Sequence, residues 1–150
     1  MKTSTDNTIE RLLAAFPEFC HQKGIKATHQ RTEIYRELLA TEEHPNAETL
    51  YERVRERIPS ISLDTVYRTL RLFVKEGIIS RVSAAGESMR FDANIDRHHH
   101  FICTECGLVR DFYSTSFDQL LAPEEISSLG AINSVHVEIR GICSACRKKD

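Results

Sequence analysis

The chain has 150 residues, enough for one domain or for two small ones of which at least one needs a staple, because a unit well below about 70 residues rarely buries a self-sufficient core. Apolar residues make up 41% and charged residues 28%, with only six glycines and four prolines, which excludes collagen-like and low-complexity classes. The net charge of −2 argues neither for nor against nucleic acid, no stretch nears the roughly 18 to 20 apolar residues of a membrane helix, and the opening residues lack the apolar core of a signal peptide, so a cytoplasmic chain without a membrane partner is expected.

A first helix is predicted from about Thr8 to His21, with Ile9, Leu12, Leu13 and Phe16 at helical spacing, Pro17 weakening its second half and Gly24 ending it. Thr28 is the expected N-cap of a second helix to about Ala40, with Ile34, Tyr35 and Leu38 on its apolar face. Asn46, after the break at His44-Pro45, caps a third helix carrying Leu50, Tyr51, Val54 and Ile58, and Pro59 stops it. Ser62 caps a fourth, whose Leu63, Val66, Tyr67, Leu70, Phe73 and Val74 form one continuous stripe that ends at Gly77. Ile78–Ser83 and Ser88–Asp92 read as two strands around Ala84-Ala85-Gly86-Glu87. The last three of these helices followed by a hairpin give the order of a winged helix-turn-helix.

The composition then changes: four of the seven histidines and four of the five cysteines lie between Asp96 and Cys146. His98–Cys103 and Leu108–Tyr113 are predicted strands, Phe117–Leu129 a weak helical patch, and Ile132–Ile142 a last strand with Val135, Val137 and Ile139 on one face. The expected architecture is α+β: a winged helix-turn-helix domain at 1–86, a hinge at 87–95 and a small α/β domain at 96–150.

Cys103-x-x-Cys106 and Cys143-x-x-Cys146 supply four thiolates with two short chelate loops, the donor set of a tetrahedral structural zinc. The other readings are buried cysteine pairs or redox pairs, but a redox pair belongs near a thioredoxin-like βαβ pattern, which the sequence lacks. Cys20, alone on the first helix, reads as core.

In an extended strand His98 and His100 share a face and His99 points away. A histidine triplet is often a solvated loop, yet Asp92 lies just upstream and Asp111 on the adjacent strand. A second, harder site for iron(II), manganese(II) or zinc is therefore expected.

From Arg53 to Arg90 eight basic residues face four acidic ones, although a solvated mixed surface would look the same. On the fourth helix Thr65, Arg68 and Leu72 lie opposite the apolar stripe. Arg68 suits guanine or phosphate, or a surface ion pair, and Tyr67 suits either the core or the groove of DNA.

Ile61-Ser62-Leu63-Asp64-Thr65-Val66-Tyr67-Arg68-Thr69-Leu70 resembles the recognition-helix signature of the ferric uptake regulator family of bacterial metal-dependent repressors. Arg90-Phe91-Asp92 with His98-x-His100-x-x-Cys103-x-x-Cys106-Gly107 resembles its metal-binding signature, and Gly24 to Arg31 its N-terminal segment, where the arginine approaches DNA. The resemblance spans nearly the whole chain. It implies a homodimer that binds pseudo-palindromic double-stranded operator DNA, with Arg31, Thr65, Tyr67 and Arg68 near the duplex. It also implies a structural Zn2+ on Cys103, Cys106, Cys143 and Cys146, and a regulatory Fe2+ or Mn2+ on His44, Asp92, His98, His100 and Asp111.

Aspartate at both carboxylate positions, Asp92 and Asp111, resembles the peroxide-responsive branch of the family, which implies oxidation of His44 or His98 at bound iron and release of DNA. The alternative is an iron- or zinc-uptake repressor that uses the metal purely as corepressor. A small metalloenzyme built on His98, His100 and Asp111 is a third class, but it leaves the winged helix unexplained, and a non-enzyme is expected. Many relatives hold another metal through a His-Asp pair near His98 and a histidine eight residues before the third cysteine. Those places read Arg97, His99 and Val135 here, with His136 one position off and only Asp118 matching, so no third metal is implied.

Overall fold

The computed structural model describes residues 2–82 and 89–149, with side chains from residue 6 onward. The chain divides into two compact units, Met1–Ile95 and Asp96–Asp150.

The first unit contains α1 (Lys2–Gln22), α2 (His29–Leu39), α3 (Ala47–Val54), α4 (Leu63–Lys75) and the antiparallel strands β1 (Ser80–Val82) and β2 (Arg90–Asp92). Helix α1 starts before Thr8 and runs through Pro17. Proline removes one helical hydrogen bond, but Leu13, Phe16 and Cys20 are buried on both sides of it, and that burial holds the helix together across the gap. At its end Gly24 adopts φ +73, which lets Ile25 N–H donate to Cys20 O at 3.0 Å and turns the chain sharply.

The three expected caps are present. Thr28 Oγ1 accepts from Arg31 N–H at 3.3 Å, Asn46 Oδ1 from Thr49 N–H at 2.8 Å, and Ser62 Oγ from Thr65 N–H at 3.0 Å. Helix α3 is shorter than its apolar pattern suggests. It stops at Val54, yet Ile58 N–H still donates to Val54 O at 2.9 Å, so a further turn keeps the Ile58 side chain buried outside the helix.

The core forms where the helices converge. Phe16 stacks on Tyr35 at 4.5 Å between centroids, and Phe73 meets both edge-on at 5.8 and 6.3 Å. Val66, Leu70 and Phe73 of α4 are fully buried, each such side chain stabilising by about 1.5–3 kcal/mol, which leaves the opposite face of the helix for solvent or a partner.

Val82 pairs with Arg90 and Ser80 with Asp92. The turn expected at Ala84-Ala85-Gly86-Glu87, with Ser83 and Ser88, lies outside the described residues. Strand β1 begins two residues later than expected, with Ile78 and Ile79 buried before it, and β2 ends at Asp92 as expected. Residues 90–95, expected as part of a hinge, belong to the first unit: Phe91 N–H donates to Pro45 O at 3.1 Å, Asn46 bridges Arg90, and Phe91 and Ala93 join the core.

The second unit contains β3 (His99–Cys103), β4 (Val109–Phe112), α5 (Thr115–Asp118), a 3-10 turn (Glu124–Ser128), β5 (Glu138–Gly141) and α6 (Ser144–Arg147). Its sheet runs β4-β3-β5, antiparallel on one side and parallel on the other. The helical patch expected over Phe117–Leu129 reduces to α5 and the 3-10 turn, because Pro123 removes a donor between them. The last strand covers four residues of the eleven expected, since β5 is an edge strand and extends only as far as its partner register, His100↔Glu138 to Cys103↔Gly141. Val135 and Val137 precede it, and Ile139 is 41% exposed rather than part of a buried stripe. Leu121 and Leu129 are 89% and 83% exposed in this unit.

Candidate metal centres and nucleic-acid interface

The four paired cysteines meet because β3 and β5 run parallel and end together. Cys103 closes β3, and Gly107 at φ +76 turns the chain back so that its N–H donates to Cys103 O at 3.0 Å. Thr104 N–H donates to Gly141 O at 2.8 Å, which fastens this knuckle to the end of β5, and Cys143 follows two residues later as the N-cap of α6. The four sulfurs lie within 4.8 Å of one another, with Cys106 Sγ 3.8 Å from Cys143 Sγ. Sulfurs bound to one tetrahedral zinc at about 2.3 Å stand about 3.8 Å apart, so the donor set fits that ion.

The electrostatics agree. Backbone N–H groups of Cys106 and Cys143 hold the Cys103 thiol down to about 6, while the adjacent sulfurs of Cys143 and Cys106 push Cys146 up to about 12. Cys103 is thus easily deprotonated while Cys146 keeps its proton among the neighbouring sulfurs, and a dication at the centre would favour the thiolate at both.

Two further ligand sets occur, one in each unit. In the first unit the loop before α3 is tied to β2 by Phe91 N–H donating to Pro45 O, and this places His44 Nε2 3.2 Å from Asp92 Oδ2 across 48 residues of sequence. His44 has φ +54, a backbone conformation uncommon outside glycine and asparagine. Asp92 is oriented in turn, its Oδ1 accepting from Asn94 N–H at 2.9 Å.

In the second unit the register of β3 on β4 sets His100 opposite Asp111. His100 Nε2 lies 3.1 Å and His98 Nε2 3.4 Å from Asp111 Oδ1, and the two Nε2 atoms are 3.1 Å apart. Asp96 O accepts from His98 Nδ1–H at 2.5 Å, which fixes the tautomer and turns the Nε2 lone pair toward Asp111. A lone pair and a carboxylate oxygen at this distance suit a small divalent cation between them. No sequence signal marks the Asp96 carbonyl, a backbone group. His99 points to the other face, where its Nε2 is 2.9 Å from Asp118 Oδ1.

On the surface of the first unit Thr28, Gln30 and Arg31 from the start of α2 and Thr65, Arg68 and Thr69 of α4 line an open groove of 340 Å³. Arg31 Nη1 donates to Lys26 O at 2.8 Å, which ties the guanidinium to the chain before α2. Arg68 is exposed and ion-paired with Asp64, and Thr65 is half-buried beside it. The Tyr67 ring packs against the core, the first of its two readings, and its hydroxyl donates to Glu48 Oε1 at 2.5 Å. That bond holds the Glu48 carboxyl below, and the Tyr67 phenol above, its ordinary range. Gln30 and Thr28 lie in the Gly24–Arg31 segment, but only the structure shows that they line the groove.

Among the described residues no helix is long and apolar enough to cross a membrane. The family model described as Ferric uptake regulator family matches residues 22–140. The peroxide-responsive repressor PerR of Staphylococcus aureus (strain Mu50) is 31% identical over 146 residues, covering 97% of this chain and 96% of that one. A zinc uptake regulator solved with zinc and DNA superposes with a TM-score of 0.68 at 25% identity, covering 95% and 97% of the two chains. The Helicobacter pylori ferric uptake regulator Fur has the same fold, with a TM-score of 0.72 at 22% identity and 93% of each chain covered. Thiolate cluster, histidine-carboxylate sets and helix-lined basic groove thus occur in a chain that belongs to the ferric uptake regulator family, dimeric DNA-binding repressors that depend on zinc, iron or manganese and are not enzymes.

Proposed function

We propose that this chain is a peroxide-sensing repressor of the cytoplasm, in which one regulatory ion takes both histidine-carboxylate sets, His44 with Asp92 and His98 with His100 and Asp111. The carrying observation is that both carboxylates beside the histidines are aspartates, 3.2 Å from His44 and 3.1 Å from His100. The likeness to PerR over 97% of the chain supports the same reading.

Ligands drawn from both units couple metal binding to DNA binding, because an ion shared by them holds one angle between the units. In the dimer that angle sets the separation of the two α4 helices, which must match half-sites on the duplex. Iron(II) bound to these ligands supplies the reducing power to activate hydrogen peroxide beside an imidazole. His44 and His98 are the imidazoles that would take up one peroxide oxygen at a ring carbon, the other leaving as water. The oxidised ring is a poorer ligand, the units lose their common tether, and DNA is released. Arg31, Thr65, Tyr67 and Arg68 are proposed to face the duplex, with Arg68 reading a base or gripping phosphate.

The test is to load the protein with iron(II) without oxygen, add a small excess of peroxide, and map one-oxygen additions by peptide mass spectrometry. Addition at His44 or His98, absent from a manganese(II)-loaded control, is the expected result. Unmodified histidines in a protein with iron bound there, and DNA binding that tracks metal concentration alone, would instead favour a metal-uptake repressor. That second reading draws its support from the zinc uptake regulator of the same fold.

A further inference from the structure

His99 is fully buried and packs against the rings of Phe112 and Phe117 at 5.6 and 5.5 Å. Its partners assign its protons. Val137 N–H donates to Nδ1 at 2.9 Å, so Nδ1 carries the lone pair and Nε2–H donates to Asp118 Oδ1 at 2.9 Å. Arg97 Nε stands 3.5 Å from the same Asp118 Oδ1, and its Nη2 donates to Val135 O at 3.3 Å.

An imidazole, a carboxylate and a backbone carbonyl thus converge from three segments: β3, the end of α5, and the stretch leading to β5. This is a donor set of the kind that binds a divalent ion, except that a cation is built into it. A guanidinium keeps its charge at every physiological pH and has donors for both oxygen acceptors at once. We propose that Arg97 is the resident cation of the His99–Asp118 pair and a determinant of metal selectivity. It takes the charge of Asp118 and the lone pairs of Val135 O, while Val137 N–H keeps His99 in the Nε2–H tautomer with no lone pair toward Asp118, and the two together close this pair to divalent metal. The histidine-rich stretch is then limited to the ion on His98, His100 and Asp111, a clause that rests on the proposed function; the closure itself does not.

The test compares zinc bound per protomer, by equilibrium dialysis and elemental analysis, in the wild type, Arg97→His and Arg97→Ala, with the His99 tautomer followed by ring nitrogen NMR. The wild type is expected to retain the Nε2–H signal of His99 in excess zinc, and Arg97→His to bind one more zinc than the wild type. Loss of that signal in the wild type, or no additional zinc in Arg97→His, would overturn the proposal. In Arg97→Ala the amide of Val137 should exchange with solvent about tenfold faster, because the clamp on its segment is gone; unchanged protection would also count against it. The zinc comparison is a difference between two proteins. A wild type holding only one zinc would sink the regulatory-ion reading and leave this test intact.

Discussion

Arg68 Nε lies 2.9 Å from Asp64 Oδ2, one turn earlier on α4, with both side chains about 70% exposed. Such a solvated pair is worth about 0.2–1 kcal/mol, little enough for the guanidinium to leave it for a base edge or phosphate. Arg68→Ala should weaken operator binding by about 1–3 kcal/mol, read by fluorescence anisotropy, with metal content unchanged by elemental analysis. An unaltered affinity would remove Arg68 from the DNA-facing surface. Asp64→Asn should move affinity the other way, since it removes a negative charge beside the duplex.

The thiolate cluster joins the two ends of a unit whose own apolar core is little more than Ile102, Val109 and the buried cysteines. Cys103→Ser or Cys143→Ser should abolish zinc retention and unfold the second unit, and strong chelation of the wild type should do the same. Circular dichroism with size-exclusion chromatography reads both effects. A variant that stays fully folded and dimeric without zinc would show that the cluster is dispensable for the fold.

Glu33 is almost buried in the first unit, with Arg57 Nε 2.6 Å and Arg36 Nε 3.4 Å from its carboxylate. Burial alone would raise its pKa, but the hydrogen bond and charge of Arg57, with help from Arg36, outweigh it and hold the group below the ordinary value of 4.5. A depressed folded-state pKa contributes stability that is present above the unfolded value and lost as pH falls through the folded one. Arg57→Ala should therefore cost roughly 1–2 kcal/mol near neutral pH, and its stability should fall less steeply than the wild type's as the solution is acidified below 4.5. Thermal unfolding as a function of pH checks both, and parallel curves would exclude Arg57 as the stabilising partner.

Leu121 and Leu129 expose most of their surface in the second unit, beside the half-exposed Leu120 and Ile132. Water disfavours this much exposed apolar surface on a lone chain, and a second copy in the family's dimer is the expected cover. Leu121→Asp with Leu129→Asp should shift the protein toward monomer by light scattering while leaving the zinc content intact. A double variant as dimeric as the wild type would place the dimer interface elsewhere.

Local chemistry written in consecutive residues was legible in the sequence. Caps at Thr28, Asn46 and Ser62, the α4 stripe and the two cysteine pairs each depend on spacings of a few residues, and spacing is all that a helix turn or a chelate loop requires. Element ends were less legible. The length of β5 is set by its partner β3, and α1 survives Pro17 because of what it buries, neither of which is encoded within the element itself.

The side-chain partners came only with the tertiary structure. Asp96 orients His98 through a backbone carbonyl, Tyr67 reaches Glu48 across 19 residues, and Arg97 meets Asp118 and Val135 in separate segments. The sequence by itself determined which donors the protein carries and on which elements they ride, because composition and short periodicities are local. Which donors face one another was decided by strand register and helix packing, since a pairing between distant residues exists only once the intervening chain has folded.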